Sequence, residues 1–497
     1  MTSSLVVVES PSKSKTLESY LGKDFKVLAS YGHVRDLLPK KGAVDPDNNF
    51  AMIYETIERN EKAVNAIQKA LKKADVLYLA TDPDREGEAI SWHLYELLKE
   101  KGCLKDKEVH RVAFYEVTKS AVQNAIKNPR ELSSNLIDAQ QARRALDYLV
   151  GFNLSPLLWR KIQKGLSAGR VQSPALRMIV EREKEIDDFK TREYWSIESD
   201  LEFKGSEFLA KLTEFNNEKI KKFSIEKTKQ AFNMKSVLEK LSAGEMLVKS
   251  VTKKQRKRQP TAPFITSTLQ QEAIRKLGFT AQWTMRIAQQ LYEGIDIGEG
   301  SVGLITYMRT DSVNLAKEAL TEIRTFISSR YGENSLPEEV RVFKTKSKNA
   351  QEAHEAVRPT SVTRVPNDIK DSLTDEQFKL YELIWKRTMA SQMRHATIDS
   401  VAVDMSCGDG NLFRANGSSI ADPGFMQVYL EGIDDSANKE DDEKMLPQLN
   451  EGDKVKLKEI RSEQHFTEPP PRYSEASLVK SLEEYGIGRP STYANII

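Results

Sequence analysis

The order of apolar and polar residues over the first 132 positions alternates between strand and helix patterns. Short apolar, β-branched runs predict buried strands, and segments with apolar residues at helical spacing separate them. The predicted strands lie near 5–9, 26–30, 76–80 and 109–114, and the predicted helices near 57–73, 86–100 and 118–127. This alternation predicts a doubly wound α/β domain with a parallel sheet. Residues 37–51, rich in Lys, Pro, Gly, Asp and Asn, predict a loop that interrupts it.

The pattern changes further along the chain. Residues 133–190 are helical in pattern throughout, whereas strand-like alternation begins near 194 and returns near 401. Between these two alternating parts, residues 267–394 are mostly helical in pattern. The sequence therefore predicts a domain of antiparallel strands interrupted by an inserted domain. A polar stretch at 467–471 then leads into a last helical segment.

Length and composition narrow the class of protein. A chain of 497 residues is too long for one core and predicts three or four domains. Its two cysteines, Cys103 and Cys407, indicate a reducing compartment and offer no Cys-x-x-Cys zinc site. The sequence shows neither a signal peptide nor a run that could span a membrane, so we expect a soluble cytoplasmic protein. Because the net charge is only +2, any basic surface for nucleic acid must be local.

Carboxylates follow two of the predicted strands. Glu9 ends the first strand, and Asp82, Asp84 and Glu86 follow the strand at 76–80 directly. Ligands bind at the carboxyl ends of strands in such folds, and four carboxylates there would repel one another without a cation between them. Oxygen ligands without a cysteine or histidine cluster suit magnesium. The alternative is that Asp84 is a helix cap and the others are solvated turn charges.

A tyrosine lies two residues before an arginine in the stretch ITYMRTDS at 305–312. If this stretch is extended, Tyr307 and Arg309 point the same way. The guanidinium would then favour the phenolate and hold a phosphate oxygen, which suits a tyrosine nucleophile for a phosphodiester. The alternative is a tyrosine that only packs in a strand.

Positive charge is concentrated in three places. Arg143 and Arg144 lie in a helical pattern, and Arg170 precedes a predicted helix, 171–186, whose glycine-containing start can offer backbone N–H groups to a phosphate. We interpret the basic run at 253–258 as a solvated hinge and the acidic stretch at 434–444 as an exposed loop.

No Gly-x-x-x-x-Gly-Lys-Ser/Thr loop is present, so nothing in the sequence indicates ATP hydrolysis or a bound nucleotide.

Six motifs together carry a resemblance to a known family. The segments VVESPSK at 7–13 and TDPDREGEAI at 81–90 are similar to the acidic metal-binding fold shared by topoisomerases and primases, the Toprim fold. The segments SAGRVQS at 167–173, ITYMRTDS at 305–312, AHEAVRP at 353–359 and GIGRPSTY at 486–493 resemble type IA topoisomerases, most closely those of bacteria. They occur in family order over essentially the whole chain.

This resemblance implies a multidomain α/β, α and β fold in which a Toprim-type domain, helical domains and an antiparallel β arch form a toroid. It implies four parts. These are a Toprim domain at 1–36 and 52–132, a helical strand-binding domain at 37–51, 133–193 and 464–497, a β-rich arch or hinge domain at 194–266 and 395–463, and an inserted domain at 267–394 that bears the tyrosine. The chain stops at Ile497, soon after the start of a capped helix, so we expect the last domain to be truncated.

The resemblance also implies the activity and its residues. Tyr307 would cleave one DNA strand and form a 5′-phosphotyrosine, the other strand would pass, and religation would relax negatively supercoiled DNA without ATP. Arg309, Lys13 and His354 would contact the phosphate, and Glu9 would donate a proton to the leaving oxygen, bind metal or do both. Mg²⁺ would be held by Glu9, Asp82, Asp84 and Glu86. The DNA contacts implied are His33, Arg111, Arg143, Arg144, Asp147, Ser167, Ala168, Gly169, Arg170, Val171, Gln172, Arg309, Arg489 and Thr492.

Single-stranded and negatively supercoiled DNA are therefore the expected partners, and a monomer is the expected state. Three alternatives stay open at this point. The first is a decatenating relative of the topoisomerase III type or half of a reverse gyrase, although the latter would need a helicase module. The second is a primase or nuclease that uses Glu9, Asp82 and Asp84 without a tyrosine. The third is a fragment that binds single strands but does not cleave them.

Overall fold

The computed structural model describes residues 4–298, 300–344, 355–432 and 445–497. The chain begins with a parallel sheet and its helices. The elements are β1 (Ser4–Val8), α1 (Pro11–Leu21), β2 (Phe25–Ala29), β3 (Arg35–Leu37), β4 (Val44–Asp45), β5 (Ala51–Met52), β6 (Tyr54–Thr56), α2 (Glu61–Leu71), β7 (Val76–Leu79), α3 (Arg85–Glu100), β8 (Glu108–Arg111) and α4 (Lys119–Lys127). The parallel sheet has the order β2-β1-β7-β8.

Alternate residues of β1 enter two different cores, as a doubly wound sheet requires. Leu5 and Val7 pack with residues of α2 and α3, whereas Val6 and Val8 pack with α1, α4 and the later helices. The predicted α/β layout is confirmed. Helix α1 was not among the predicted helices, although Ser10, which accepts from the Lys13 N–H, and Pro11 in its first turn form a recognisable helix start.

Two long helices and an antiparallel β assembly follow. The elements are α5 (Ser134–Lys161), α6 (Gln172–Asp187), β9 (Glu193–Phe203), β10 (Ser206–Phe215), β11 (Glu218–Lys219), α7 (Thr228–Ser242) and β12 (Glu245–Arg258), continued after an insertion by β15 (Ala396–Ser406), β16 (Leu412–Asp422) and β17 (Lys454–Phe466). The order is β11-β10-β16-β15-β12-β17-β9, and β9 also pairs with β10. The sheet therefore closes on itself around its own core, and the predicted antiparallel strands are confirmed.

The basic run at 253–258 differs from its predicted role. These residues continue β12 and pair with β15, from Lys253 opposite Val401 to Arg258 opposite Ala396. The interpretation as a hinge is wrong, because these residues form a paired strand. A strand can carry charged side chains on a sheet surface, since its backbone hydrogen bonds do not depend on them. The acidic stretch at 434–444 lies outside the described residues.

The insertion between β12 and β15 is mainly helical, as predicted. It contains α8 (Thr266–Leu277), α9 (Ala281–Glu293), β13 (Ile295–Asp296), β14 (Ser301–Val302), α10 (Lys317–Tyr331) and α11 (Asp375–Ser391), and the chain ends with α12 (Glu475–Glu484) and α13 (Tyr493–Ile496). Its core is continuous with one face of the parallel sheet, since Leu304 and Leu380 belong to the same apolar cluster as Val6 and Val8. Among the helices in the described part of the chain, none has the length and apolar character to cross a membrane.

A buried histidine in α3 predicts a pH dependence of stability. Arg35 donates from Nε to Nδ1 of His93 at 2.8 Å, so that nitrogen must be unprotonated. Burial, and then the charge of Arg35, lower the pKa of His93 to about 3. The unfolded chain therefore binds a proton on His93 that the folded chain does not, once the pH falls below the ordinary histidine pKa of about 6.5.

We expect His93 to contribute its full share to the free energy of unfolding above about pH 6.5. This contribution should decline as the pH falls towards 3. The decline should be shallower in His93→Gln, because a glutamine oxygen still accepts from Arg35 but does not titrate. Urea unfolding of both chains at several pH values between 7 and 4 measures the difference. Parallel slopes for the two chains would contradict the assignment.

Candidate active site

The first part of the site is a buried lysine between two carboxylates. Lys13, in the first turn of α1, donates to Glu9 Oε1 and to Asp82 Oδ1, each at 3.0 Å, and its side chain has no exposed surface. Burial, and then the charge of Asp82, raise the pKa of Glu9. Burial opposes ionisation of Asp82 as well, but Lys13 outweighs it and lowers the pKa of Asp82. The surroundings of the Lys13 ammonium ion therefore favour the protonated form of Glu9 and the ionised form of Asp82.

The second part contains the predicted nucleophile. The hydroxyl of Tyr307 donates to Asp84 Oδ2 at 2.7 Å, and Arg309 Nη1 lies 3.4 Å from the same oxygen. The other oxygen of Asp84 accepts from the Gly87 N–H at 2.8 Å and caps α3. A Cβ on Gly87 would lie 2.1 Å from the Asp82 carbonyl oxygen, so only glycine allows this approach. The structure thus brings Tyr307 and Arg309 to the carboxylates that precede α3, although Tyr307 and Asp84 are 223 residues apart in the sequence.

The surroundings of Tyr307 act on its pKa in both directions. Its side chain is 2% exposed. Burial, followed by the negative charges of Asp84 and Asp82, raises the pKa of Tyr307 well above its ordinary value, and Arg309 only partly opposes this. Arg309 acts in the direction expected from the sequence and favours the phenolate, but desolvation and two carboxylates outweigh one guanidinium. The balance favours the protonated phenol, in keeping with the hydrogen bond from the Tyr307 hydroxyl to Asp84.

A second tyrosine, which the sequence did not single out, supports this centre. The ring of Tyr292 lies edge-to-face against the ring of Tyr307, with centroids 5.2 Å apart. The Lys13 ammonium lies 5.6 Å from the Tyr292 ring and 4.8 Å from the Phe114 ring. Tyr292 also donates to the Phe114 carbonyl at 3.2 Å. No sequence signal marks Tyr292, since a buried tyrosine on an amphipathic helix is an ordinary core residue.

The fourth carboxylate of the predicted metal set has different partners. Glu86 Oε2 lies 3.4 Å from His33 Nε2 and accepts from Gln140 Nε2 at 3.3 Å. The hydrogen bond from His33 is the main cause that lowers the pKa of Glu86. Within the described residues, no three His, Cys, Asp or Glu side chains are grouped as a metal site.

This arrangement bears on the prediction of magnesium. The sequence predicted that the carboxylates would repel one another without a cation between them. In the structure Lys13 and Arg309 supply positive charge beside them, so repulsion alone does not require a metal ion. The donor atoms are nevertheless of the kind that Mg²⁺ prefers, and Glu9 Oε2 is buried without a hydrogen-bond partner in the described structure. The residues are compatible with a metal ion in chemical type, although each carboxylate already has an internal partner.

A basic cleft adjoins the carboxylates. A cavity of about 350 Å³ is lined by Asp84, Glu86, Arg309 and Arg489 among others, and a second of about 280 Å³ by Arg143, Arg170 and Thr492. Both cavities are lined by Arg85 and Arg489, so they are neighbours. Burial, and then the charge of Arg143, lower the pKa of Arg85, as expected where cations are crowded. Sequence reasoning missed Arg85, although it lies inside the TDPDREGE motif.

Of the predicted DNA contacts, those that line the two cavities of the cleft are Arg143, Arg170, Val171, Arg309, Arg489 and Thr492. Asp147 accepts from Arg170 at 2.9 Å and lies 3.7 Å from Arg143. The guanidinium of Arg144 donates to Asp36 from both Nε and Nη2, each at 2.8 Å. Thr492 accepts from the Arg489 N–H at 2.8 Å and so fixes the turn before α13. The remaining segment links α5 to α6, with Val171 before the first turn of α6. It comprises Ser167, Ala168, Gly169, Arg170, Val171 and Gln172.

Arg111 is the exception among the predicted DNA contacts. Its side chain is buried and donates to Glu88 and to the carbonyl oxygens of Leu79, Thr81 and Asp82. A guanidinium buried in this way has no exposed surface that could contact a phosphate. Arg111 instead stabilises the strand ends through its hydrogen bonds to their carbonyl oxygens. The reason is that the parallel sheet brings β8 next to β7.

Two further residues complete the account of the predicted set. His354 lies outside the described residues. Arg358, from the same AHEAVRP motif but not predicted as a site residue, is buried and donates to Glu355 Oε2 at 2.6 Å and Glu116 Oε2 at 3.2 Å. It therefore links the insertion to the segment after β8. Its charge directly between the apolar residues Val357 and Pro359 was the signal that could have identified it.

Comparison with known proteins decides the family. A family model described as DNA topoisomerase matches residues 131–497, and one described as Toprim domain matches residues 4–117. The chain belongs to the bacterial type IA DNA topoisomerase family. The family assignment confirms the resemblance drawn from the six motifs.

Individual relatives agree with this family. DNA topoisomerase 1 of Xylella fastidiosa (strain Temecula1 / ATCC 700964) is 60% identical over 499 residues, which cover 100% of this chain and 61% of that protein. DNA topoisomerase 1 of Rickettsia bellii is 58% identical over 496 residues, 99% of this chain and 61% of that protein. The structure of full-length topoisomerase I from Thermotoga maritima matches with a TM-score of 0.83 and 38% identity, covering 99% of this chain and 77% of that chain. This chain thus spans about 61% of the length of these curated relatives.

Proposed function

We propose that this protein is an ATP-independent type IA DNA topoisomerase that relaxes negatively supercoiled DNA. One observation carries the proposal: the hydroxyl of Tyr307 lies in hydrogen-bond contact with Asp84 and beside Arg309, where a basic cleft meets the acidic end of the parallel sheet. A phosphodiester placed there would meet a nucleophile, a guanidinium and a proton donor. Single-stranded DNA fits such a cleft because its backbone is anionic.

The proposed reaction balances without an external energy source. Tyr307 Oη forms a bond to phosphorus, the bond from phosphorus to the 3′ oxygen breaks, and the product is a 5′-phosphotyrosine with a free 3′-hydroxyl. The proton of Tyr307 leaves along its hydrogen bond to Asp84, and Glu9 gives a proton to the 3′ oxygen. One phosphoester replaces another, so religation by the 3′-hydroxyl after strand passage needs no ATP.

Charge in the transition state would be stabilised by two cations. Arg309 and Lys13 are both held near the reacting tyrosine by carboxylates, and preorganised charges in a site that excludes water are effective there. Asp82, Asp84 and Glu86, with Glu9, would hold Mg²⁺, which supplies further positive charge when bound. We propose that the protein acts as a monomer on single-stranded and negatively supercoiled DNA in the cytoplasm.

A covalent-adduct assay tests the proposal. A 3′-labelled single-stranded oligonucleotide is mixed with the protein in magnesium or in EDTA and run on a denaturing gel. The expected result is a labelled, protease-sensitive adduct, together with relaxation of a negatively supercoiled plasmid in magnesium. Faster decatenation of gapped circles than relaxation would instead favour a decatenase of the topoisomerase III type. Binding without any adduct would favour a strand-binding module.

Replacement of Arg309 by lysine tests its role. We expect Arg309→Lys to form the adduct about 10²- to 10³-fold more slowly. Lysine keeps the positive charge but lacks the planar guanidinium, which can donate two hydrogen bonds to one phosphate. Single-turnover rates of adduct formation measure the effect. Arg330→Lys, on the exposed surface of α10, is the matched control and should cleave at the normal rate. Equal rates for both variants would remove Arg309 from the proposed reaction.

A further inference from the structure

A groove on the far side of α5 is separate from the cleavage site. It has a volume of about 810 Å³ and lies between α5 and the segment from β5 to β6, with α3 at its base. Ala142, Ala145 and Leu149 line it from α5, whereas Leu136, Ala139 and Arg143 of the same helix line the basic cleft. At 100° per residue these two sets lie on different faces of the helix. A ligand in the groove would therefore not contact the cleft.

The base of the groove carries an arginine stacked on two rings. Arg35 lies 5.1 Å from the Tyr54 ring and 5.0 Å from the Trp92 ring, and it is 8% exposed. Its Nε donates to His93 and its Nη1 lies 3.1 Å from Glu100. Nη2 has no hydrogen-bond partner among the described residues, and the residue lines the groove. A nearly buried guanidinium thus keeps one donor for an occupant.

Two more polar groups lie along the groove. Gln141 accepts from the Tyr54 hydroxyl at 3.1 Å through Oε1, which leaves its amide nitrogen as a donor. Asp138, one helical turn before Ala142, is exposed, lines the groove, and has no ion-pair partner within the described part of the chain. The groove therefore offers donors at its base and a carboxylate acceptor at its edge, among apolar and aromatic walls.

The rim adds an exposed aromatic ring in a strained turn. Asn49 and Phe50 both have left-handed backbone angles, with φ of 50° and 55°. Such conformations cost energy in residues other than glycine and persist where the surroundings hold them. Phe50 is nevertheless 53% exposed, and it lines the groove. An aromatic ring is thus presented at the mouth of a cavity whose base already carries Tyr54 and Trp92.

We propose that this groove binds a free purine nucleoside or a similar planar heterocycle. Rings stack on aromatic walls, and a purine edge carries both acceptors for Arg35 and Gln141 and donors for Asp138. Cavities of this size with mostly apolar walls and a few polar groups are typical of small-molecule sites. The inference is independent of the proposed cleavage reaction, because none of these residues contacts Tyr307 or the carboxylates around it.

Equilibrium dialysis with radiolabelled guanosine and adenosine tests the proposal. We expect saturable binding of at least one of them, with a Kd below about 1 mM. Ala142→Trp should fill the groove from an exposed helix position and weaken binding at least 10-fold, and Arg35→Lys should weaken it similarly by removing the flat stacking group. Ala66→Trp, at an exposed position of α2, is the matched control and should bind normally.

Three binding results would overturn the proposal, as would one result of the cleavage assay. The binding results are no saturable binding of either nucleoside to the unmodified protein, equal binding by Ala142→Trp, and displacement of the nucleoside by a single-stranded oligonucleotide. Adduct formation measured in the same samples separates this question from the proposed cleavage. Ala142→Trp should form the phosphotyrosine adduct at the normal rate. Loss of that adduct in Ala142→Trp would mean that the groove belongs to the DNA path, which also contradicts the proposal.

Discussion

Replacement of Tyr307 by phenylalanine is expected to abolish the covalent adduct with DNA completely. The variant lacks the only atom that can bond to phosphorus at this position, whereas its ring still fills the same apolar cluster. Loss of the hydrogen bond to Asp84 should change stability little, since a typical hydrogen bond contributes about 1 kcal/mol net. Binding of single-stranded DNA should therefore remain. The denaturing gel with a 3′-labelled oligonucleotide measures the adduct, and a filter-binding assay measures the affinity.

The neighbouring tyrosine provides the control. Tyr292→Phe removes a hydroxyl that donates only to the Phe114 carbonyl and keeps the ring that lies against Tyr307. We expect Tyr292→Phe to form the adduct. If both variants lost it, disturbance of the packing would explain the loss as well as chemistry does. If Tyr307→Phe still formed an adduct, Tyr307 would not be the nucleophile, and the metal-dependent nuclease would become the better explanation.

Replacement of Glu88 by alanine is expected to give the largest loss of stability near the site. Glu88 is fully buried and accepts from Arg111 at 2.9 Å, from Arg130 at 2.9 and 2.7 Å, and from the Ser133 N–H at 2.7 Å. Removal of one partner from a buried ion pair leaves an uncompensated charge and costs about 3–5 kcal/mol. The loss of stability should be concentrated around Arg111. This residue also donates to the carbonyl oxygen of Asp82 and so holds the end of that strand.

Hydrogen exchange of peptides from α3 and β8, together with thermal unfolding, measures this effect. We expect faster exchange in both elements and a lower unfolding midpoint for Glu88→Ala. Glu181→Ala breaks an exposed pair with Arg177 on α6 and is the control, for which little change is expected. Unchanged exchange in α3 and β8 of Glu88→Ala would show that Arg111 does not depend on this carboxylate.

Local patterns predicted much of the fold. The parallel strands, the antiparallel strands after residue 193 and the helical insertion follow from periodicity, because apolar burial imposes a period of two or of 3.6 on the chain. Helix α1 was missed because its apolar residues are few and its start depends on Ser10 and Pro11. The strand at 253–258 was missed because exposed basic side chains hide the pattern. The domain boundaries stay a prediction.

The sequence predicted most of the residues that form the candidate site but not how they are arranged in space. Motifs identified Tyr307, Arg309, Lys13 and the carboxylates, yet they could not show which carboxylate accepts from which donor. Arg111 was predicted to contact DNA and is instead buried against Glu88. Tyr292 had no signal in the sequence at all.

The sequence by itself determined most of the elements, the family and the chemical groups, because these depend on residue type and on neighbours a few positions apart. Only the tertiary structure decided that Asp84 accepts from Tyr307, that Lys13 lies between Glu9 and Asp82, and that burial raises the pKa of Tyr307. The physical reason is that desolvation and charge act through space over a few ångströms. The groups that set a pKa or orient a nucleophile are brought together by packing, from segments far apart in the chain.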